Sequence, residues 1–206
     1  MLLDWLRIAK ELQAIAQAGI EFSENKYDLE RYQKIREISV KIMQGYTDAS
    51  LEKIRELFAF EKGYQTPKVD IRGVVFRKGK ILMVRETIDG MWSLPGGWAD
   101  VGYSPFEIAK KEVFEEAGLT VKPQRLLAVY DKTKHPHSPD IYHVYKLFIL
   151  CEDSGLDVKI GMETSDVDWF SREEIPHSLS LPRITRSQID KMFEYYDNPS
   201  KDVECD

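Results

Sequence analysis

Apolar residues recur at spacings of three and four along the first sixty positions of the chain. Trp5, Ile8, Leu12, Ile15 and Ala16 make one helical stripe, which Gly19 is expected to end. Leu29, Tyr32, Ile35, Ile38 and Ile42 make a second, stopping at Gly45, and Leu51, Ile54, Leu57 and Phe58 make a third that begins near Asp48 or Ser50. A bundle of about 60 residues buries too small a fraction of its surface to be comfortable alone. The stripes are therefore expected to be completed by the rest of the chain or by a second subunit.

After a break at Gly63–Pro67 the texture changes. Val69–Phe76 and Ile81–Arg85 read as strands joined by a tight turn at Lys78-Gly79-Lys80. Leu126–Tyr130 and His143–Cys151 read as longer strands flanking a polar loop with His135 and His137, and Asp166–Phe170 as a short last strand. A helix start is expected at Ser171-Arg-Glu-Glu174, a closing helix over residues 186–196, and a loose final ten residues. The pattern divides the chain into an all-α section, residues 1–62, and an α+β section, residues 68–206.

Composition narrows the partners. Hydrophobic residues make up 43% and charged residues 31% of the 206 positions, as in an ordinary globular protein. No apolar run is long enough to span a bilayer, and Asp4, Arg7 and Lys10 interrupt what a signal peptide would keep apolar. Two cysteines, Cys151 and Cys205, give no disulfide framework, so the expectation is a reduced, cytoplasmic protein. A net charge of −6 opposes nonspecific attraction to DNA or an anionic membrane. Residues 1–66 hold 10 Lys and Arg against 11 Asp and Glu, so the helical section has no basic face for nucleic acid.

The chemistry is concentrated in Leu94–Leu119, LPGGWADVGYSPFEIAKKEVFEEAGL. Ser104 is a candidate N-cap, Pro105 suits the first helical position, Glu107 can complete a capping box, and Gly118 can close the helix. On this helix Phe106, Ala109, Val113 and Ala117 are expected to pack on a sheet, with Glu112, Glu115 and Glu116 on a neighbouring face. Like charges at these spacings cost a few tenths of a kcal/mol per pair, and they stand in the C-terminal half, where the helix dipole disfavours anions. A hard divalent cation would relieve that repulsion, and oxygen ligands suit Mg²⁺ or Mn²⁺. The plain alternative is a solvated acidic face. The loop before the helix, with Gly96, Gly97 and Gly102, favours the metal.

This segment resembles the Nudix box: Gly, five residues, Glu, seven residues, Arg-Glu-aliphatic-any-Glu-Glu-any-Gly-aliphatic. Gly97, Glu112, Val113, Glu115, Glu116, Gly118 and Leu119 match, an agreement expected by chance about once in ten million start points. Tyr103 stands where the box has its first Glu and Lys111 where it has Arg, so the box's usual ion pair cannot form. The helical start, Asp70–Gly73, Gly90–Gly102 and His143–Lys146 together resemble the group containing CDP-choline pyrophosphatase.

The resemblance implies a Nudix fold, a mixed sheet between helices in an α/β/α sandwich behind a small all-α domain, and a homodimer built by that domain. It implies two or more Mg²⁺ or Mn²⁺ ions per site, held by Glu112, Glu115 and Glu116 with the carbonyl of Gly97. The implied reaction is hydrolysis of the pyrophosphate of a nucleoside diphosphate linked to another group, with CDP-choline first and ADP-ribose or a nucleotide sugar second. Glu163 is the candidate general base and Glu116 the fallback, with a solvated loop carboxylate as the plain reading of Glu163. Arg85, Trp92 and His135 are candidate substrate contacts. Surface arginine and aromatic core packing are the plain readings of the first two. Trp98, Tyr64 and His137 stand in the same group. A non-catalytic Nudix ligand sensor is the competing class, and RNA stays open as a secondary substrate.

Overall fold

The computed structural model describes residues 4–60 and 63–206, with side chains at 57–60 outside the description. Two compact units divide the chain. One holds the chain up to Pro67 together with Pro139–His143, and the other holds Lys68–Ser138 and Val144–Asp206.

In the first unit, α1 (Trp5–Phe22), α2 (Lys26–Tyr46) and α3 (Leu51–Phe60) pack around Ala9, Val40, Met43, Ile54 and Ile141. Asp4 and Asn25 cap the first two, accepting from the amides of Arg7 at 3.0 Å and Tyr27 at 2.9 Å. Gly19 does not end α1, contrary to expectation. It lies within the helix, where any side chain would run into the Tyr32 ring of α2, so its role is close packing. Small and polar residues form the buried face of α1: Ala9, Gln13, Ala16 and Gln17. The large stripe is left partly open, with Trp5, Ile15, Phe22 and Ile38 exposed. The expected contributions of Leu57 and Phe58 to α3 fall outside the described side chains.

The second unit is built on an eight-stranded sheet. Its strands are β1 (Lys68–Arg77), β2 (Lys80–Glu86), β3 (Trp92–Ser93), β4 (Gly96–Trp98), β5 (Val121–Asp131), β6 (Val144–Asp153), β7 (Thr164–Phe170) and β8 (Glu204–Cys205). The order is β3-β2-β1-β6-β5-β8, with β4 beside β1 and β7 beside β2. β1 and β6 run parallel, and β1 and β2 form the expected hairpin through Lys78 and Gly79, both at positive φ. Helix α4 (Pro105–Ala117) covers one face, packing Ile108, Ala109, Val113 and Ala117 on Ile71, Val75, Leu82 and Val84. Helix α5 (Arg186–Asp197) covers the other, with Ile189, Met192 and Phe193 on Val74, Met83, Tyr130 and Phe148. The result is the mixed sheet between helices that the sequence predicted.

Three local expectations are corrected. Phe106 is exposed, and Ile108 takes its place on the sheet, packing with Ala109 and Val113 in the cluster against β1 and β2. Ser171–Glu174 forms only a turn, since Pro176 follows two residues on and cannot donate to a growing helix. The final residues are not loose. Glu204 and Cys205 pair in parallel with Ala128 and Val129, and the Asp206 carboxylate accepts from the Asp131 amide at 2.7 Å. Among the described residues no helix is long and apolar enough to cross a membrane.

Candidate active site

Helix α4 begins as its sequence dictates. The Ser104 hydroxyl accepts from the Glu107 amide at 3.4 Å, and Glu107 Oε2 accepts from the Ser104 amide at 2.8 Å. Gly118 closes it at φ 62°. Thirteen residues are marginal as an isolated helix. Full burial of Ile108 and Val113 contributes about 1.5–3 kcal/mol each, which outweighs the few tenths lost per glutamate pair.

The loop before α4 is pressed against β1. Gly96 sits at φ 148°, and a side chain there would overlap the Ile71 carbonyl, so only glycine lets β4 lie so close. That approach aims the Gly96 amide at Glu116 Oε2, 2.9 Å away. Glu116 is only 5% exposed. Burial pushes its carboxyl up to about 8, helped by Glu86 and Glu112, while Arg72 and the Gly96 amide pull it back. Burial also raises Glu112, whose carboxylate lies against Gly97. Glu115 points outward and is mostly exposed.

Tyr103 does not leave Lys111 without an acid. Lys111 Nζ lies 3.0 Å from Asp100 Oδ2, and 3.6 and 3.5 Å from Glu112 and Glu115. The hydrogen bond to Asp100, with the two glutamates adding, holds the ammonium well above the usual lysine range. Asp100 thus supplies an ion pair that the box pattern alone seemed to forbid.

The loop 159–164 is docked on the C-terminal end of α4. Lys159 and Gly161 amides donate to the Ala117 and Glu116 carbonyls at 2.8 and 3.2 Å, and Thr164 Oγ1 donates to Glu116 O at 2.8 Å. A side chain at Gly161 would overlap the Glu115 carbonyl. Glu163 is therefore carried beside the glutamate helix, and its own carbonyl accepts from Thr87. Its side chain is exposed.

Several charged residues at the site escaped the sequence reading. Glu86, 5% exposed at the β2 bulge, lies 3.0 Å from Arg183 Nε. Burial raises its carboxyl, opposed by Arg183 and Arg72 and reinforced by Asp89 and Glu163. Arg72 holds Asp70 through two bonds of 2.8 Å and reaches Ser93 Oγ and the Leu94 carbonyl at 3.1 and 3.0 Å. Lys146 Nζ, fully buried, lies 3.0 Å from Asp70. Burial alone would raise Asp70, but the two cations hold it well below the carboxylate range. The signal was available, since Asp70, Arg72 and Lys146 are charges inside otherwise apolar strand runs.

Of the candidate substrate contacts, Arg85 and Trp92 face each other across β2 and β3, and Arg85 Nε donates to the Gly90 carbonyl at 2.7 Å. Trp92 packs edge-on against Phe170 with ring centres 4.8 Å apart. His135 Nε2 is 3.2 Å from Asp206 Oδ2, with its ring 4.5 Å from that of Tyr130. Tyr64 and Trp98 are exposed.

Among the described residues no three His, Cys, Asp or Glu side chains converge on a ready metal cage. Mg²⁺ needs none, because it keeps several waters and takes one or two carboxylates plus substrate phosphates. Buried Glu116 and half-buried Glu112, oxygen donors that repel each other's charge, suit such an ion.

A sheet enclosed between helices, with a glycine-bound carboxylate helix on one face, defines a class that known proteins then specify. Residues 66–193 match the model of the NUDIX domain, and residues 3–58 match that of a UDP-X-like, N-terminal oligomerisation domain. "Putative ADP-ribose pyrophosphatase YjhB" of Bacillus subtilis (strain 168) is 45% identical over 96% of this chain and 94% of its own. A solved UDP-X diphosphatase is 29% identical, covers 98% of each chain and superposes with a TM-score of 0.63. An ADP-ribose pyrophosphatase from Streptococcus suis 89-1591 is 40% identical, covering 68% of this chain and all of its own, with a TM-score of 0.62. The chain belongs to the Nudix family of hydrolases.

Proposed function

We propose that this Nudix hydrolase adds water across the P–O–P bridge of a nucleoside diphosphate linked to another group, releasing two phosphomonoesters. ADP-ribose stands first as substrate, because the relative named for that activity matches nearly the whole chain at 45% identity. CDP-choline, favoured by the sequence motifs, stands second, and RNA ends remain a secondary substrate. The observation that carries the reading is the hydrogen bond from the Gly96 amide to Glu116, which seats a buried carboxylate against the glycine loop.

Glu112, Glu115 and Glu116, with the Gly97 carbonyl, would hold Mg²⁺ or Mn²⁺. When bound, such ions neutralise charge on the diphosphate and make water easier to deprotonate. Glu163 takes the proton of the attacking water, and its seat beside α4 supports that role. Arg72, fixed to Leu94 and Ser93, holds the start of the glycine loop in place. Trp92, Arg85 and His135 border the substrate.

The helical section assembles two copies of the chain. The exposed Trp5, Ile15, Phe22 and Ile38 support this, as does the matched domain's description as an oligomerisation domain.

A panel of ADP-ribose, CDP-choline, UDP-glucose and a short RNA, run with Mg²⁺ or Mn²⁺ in ¹⁸O-labelled water, tests the function. ADP-ribose is expected to give AMP and ribose 5-phosphate with label in one product. No hydrolysis of any member would leave the ligand-sensor class.

A further inference from the structure

Three aromatic side chains are candidates to stack on substrate, and the structure separates them. Trp92 sits edge-on to Phe170 against the core, and Tyr64 belongs to the helical unit. Trp98 lies 49% exposed on β4, the strand that carries the two glycines. The Gly73 amide donates to the Pro95 carbonyl and the Ala99 amide to the Val69 carbonyl, both at 2.8 Å. Antiparallel pairing alternates, so Gly96 and Trp98, between those bonds, turn their own amides and carbonyls away from β1. The Gly96 amide accordingly reaches Glu116 Oε2 at 2.9 Å, and Trp98 follows about 7 Å further along the same edge. Successive side chains also alternate. A side chain at Gly97 would lie 3.0 Å from Glu112 Oε2, so the Trp98 indole stands on the other face of β4, beside its partner Asp70. No side chain at positions 96 or 97 separates the indole from the two carboxylates.

A half-exposed indole offers a flat apolar surface whose face carries partial negative charge. Phosphate oxygens are repelled by that face. A nucleobase fits it, because every base has a π-face that stacks on an aromatic side chain. Of the parts of ADP-ribose only adenine is flat, and one ribose separates it from the diphosphate, as the edge of β4 separates Trp98 from the carboxylates. Extending the ADP-ribose reading, we propose that Trp98 is the platform of the nucleobase subsite, stacking on adenine while the diphosphate crosses Gly96 and Gly97 to Glu112 and Glu116. A quaternary ammonium group is the rival occupant of an indole face.

The test is calorimetric binding of AMP, ribose 5-phosphate and phosphocholine to the full chain with Mg²⁺ present. The wild-type chain is expected to bind AMP more tightly than ribose 5-phosphate by about tenfold or more. Trp98→Ala is expected to weaken AMP by about tenfold and leave ribose 5-phosphate within about twofold, while Trp98→Phe keeps most of the AMP affinity. Thermal unfolding checks that each variant folds, and Trp98→Leu, apolar but not flat, replaces Trp98→Ala if that variant does not. An equal loss for AMP and ribose 5-phosphate would make Trp98 a prop of the glycine loop. A loss confined to phosphocholine would assign the indole to an ammonium group. Either result, unchanged AMP binding, or a lower assembly mass in Trp98→Ala overturns the subsite. AMP loss in Trp98→Ala without ADP-ribose hydrolysis by the wild-type chain would refute the substrate and keep the subsite, and hydrolysis with unchanged AMP binding would do the reverse.

Discussion

Lys111 Nζ donates to Asp100 Oδ2 across 3.0 Å, eleven residues back along the chain, while staying within 3.6 Å of two glutamates on its own helix. Asp100→Asn removes that anchor and lets the ammonium shift toward Glu112 and Glu115. The pair is largely exposed, where such bridges contribute about 0–1 kcal/mol, so unfolding should barely change. The expected outcome is a higher Mg²⁺ concentration for half-maximal activity at unchanged saturating kcat. An unaltered Mg²⁺ titration would remove Asp100 from any role at the site.

Glu112→Gln and Glu116→Gln should each lower kcat by about a hundredfold or more at saturating metal, because they remove charge stabilisation worth several kcal/mol. Near-normal turnover in both variants would sink the metal assignment.

Glu163→Gln should lower kcat by about 10²–10⁴-fold with metal affinity unchanged, as loss of a general base does. Glu86→Gln is the control, since it alters the same charged neighbourhood from a buried position beside Arg183. A wild-type pH–rate profile in Glu163→Gln would move the base elsewhere.

Glu116 also predicts how metal and pH act together. Its folded value of about 8 lies above the ordinary 4.5. Between those limits the native state holds a proton that the unfolded chain has released, so metal-free stability falls as pH rises through that window. Metal needs the carboxylate, so Mg²⁺ should raise the melting temperature more at about pH 8 than at about pH 6. Glu116→Gln should flatten that difference. Equal Mg²⁺ shifts at both pH values in the wild-type chain would contradict the prediction.

Light scattering at micromolar concentration should give twice the chain mass. Deleting residues 1–62 should cost solubility by uncovering apolar surface, yet leave the α4 amides protected from exchange. A monomer mass for the intact chain would refute the assembly.

The legible parts of the molecule were those whose signals are local. Ser104, Pro105, Glu107 and Gly118 announced α4 because a cap is made by residues within one turn of each other. The same local logic misled at Ser171, where the Ser171 amide does donate to Glu174 Oε2 at 3.2 Å but no helix follows. The Asp70–Arg72–Lys146 cluster was not legible as a unit, because Lys146 meets Asp70 only through the parallel pairing of β1 with β6. Nor was the ordered tail, since two residues pairing with β5 leave no periodicity to read.

One consequence attaches to Gly161, whose missing side chain lets its loop touch the backbone of α4. With hydrogen bonds at Lys159, Gly161 and Thr164 tying the same strip to the helix, Glu163 and the box glutamates ride on one frame. Parts that share a frame keep their spacing when the rest of the molecule breathes. Gly161→Ala would therefore act as a wedge, separating two halves of a catalytic apparatus without touching a single reactive atom.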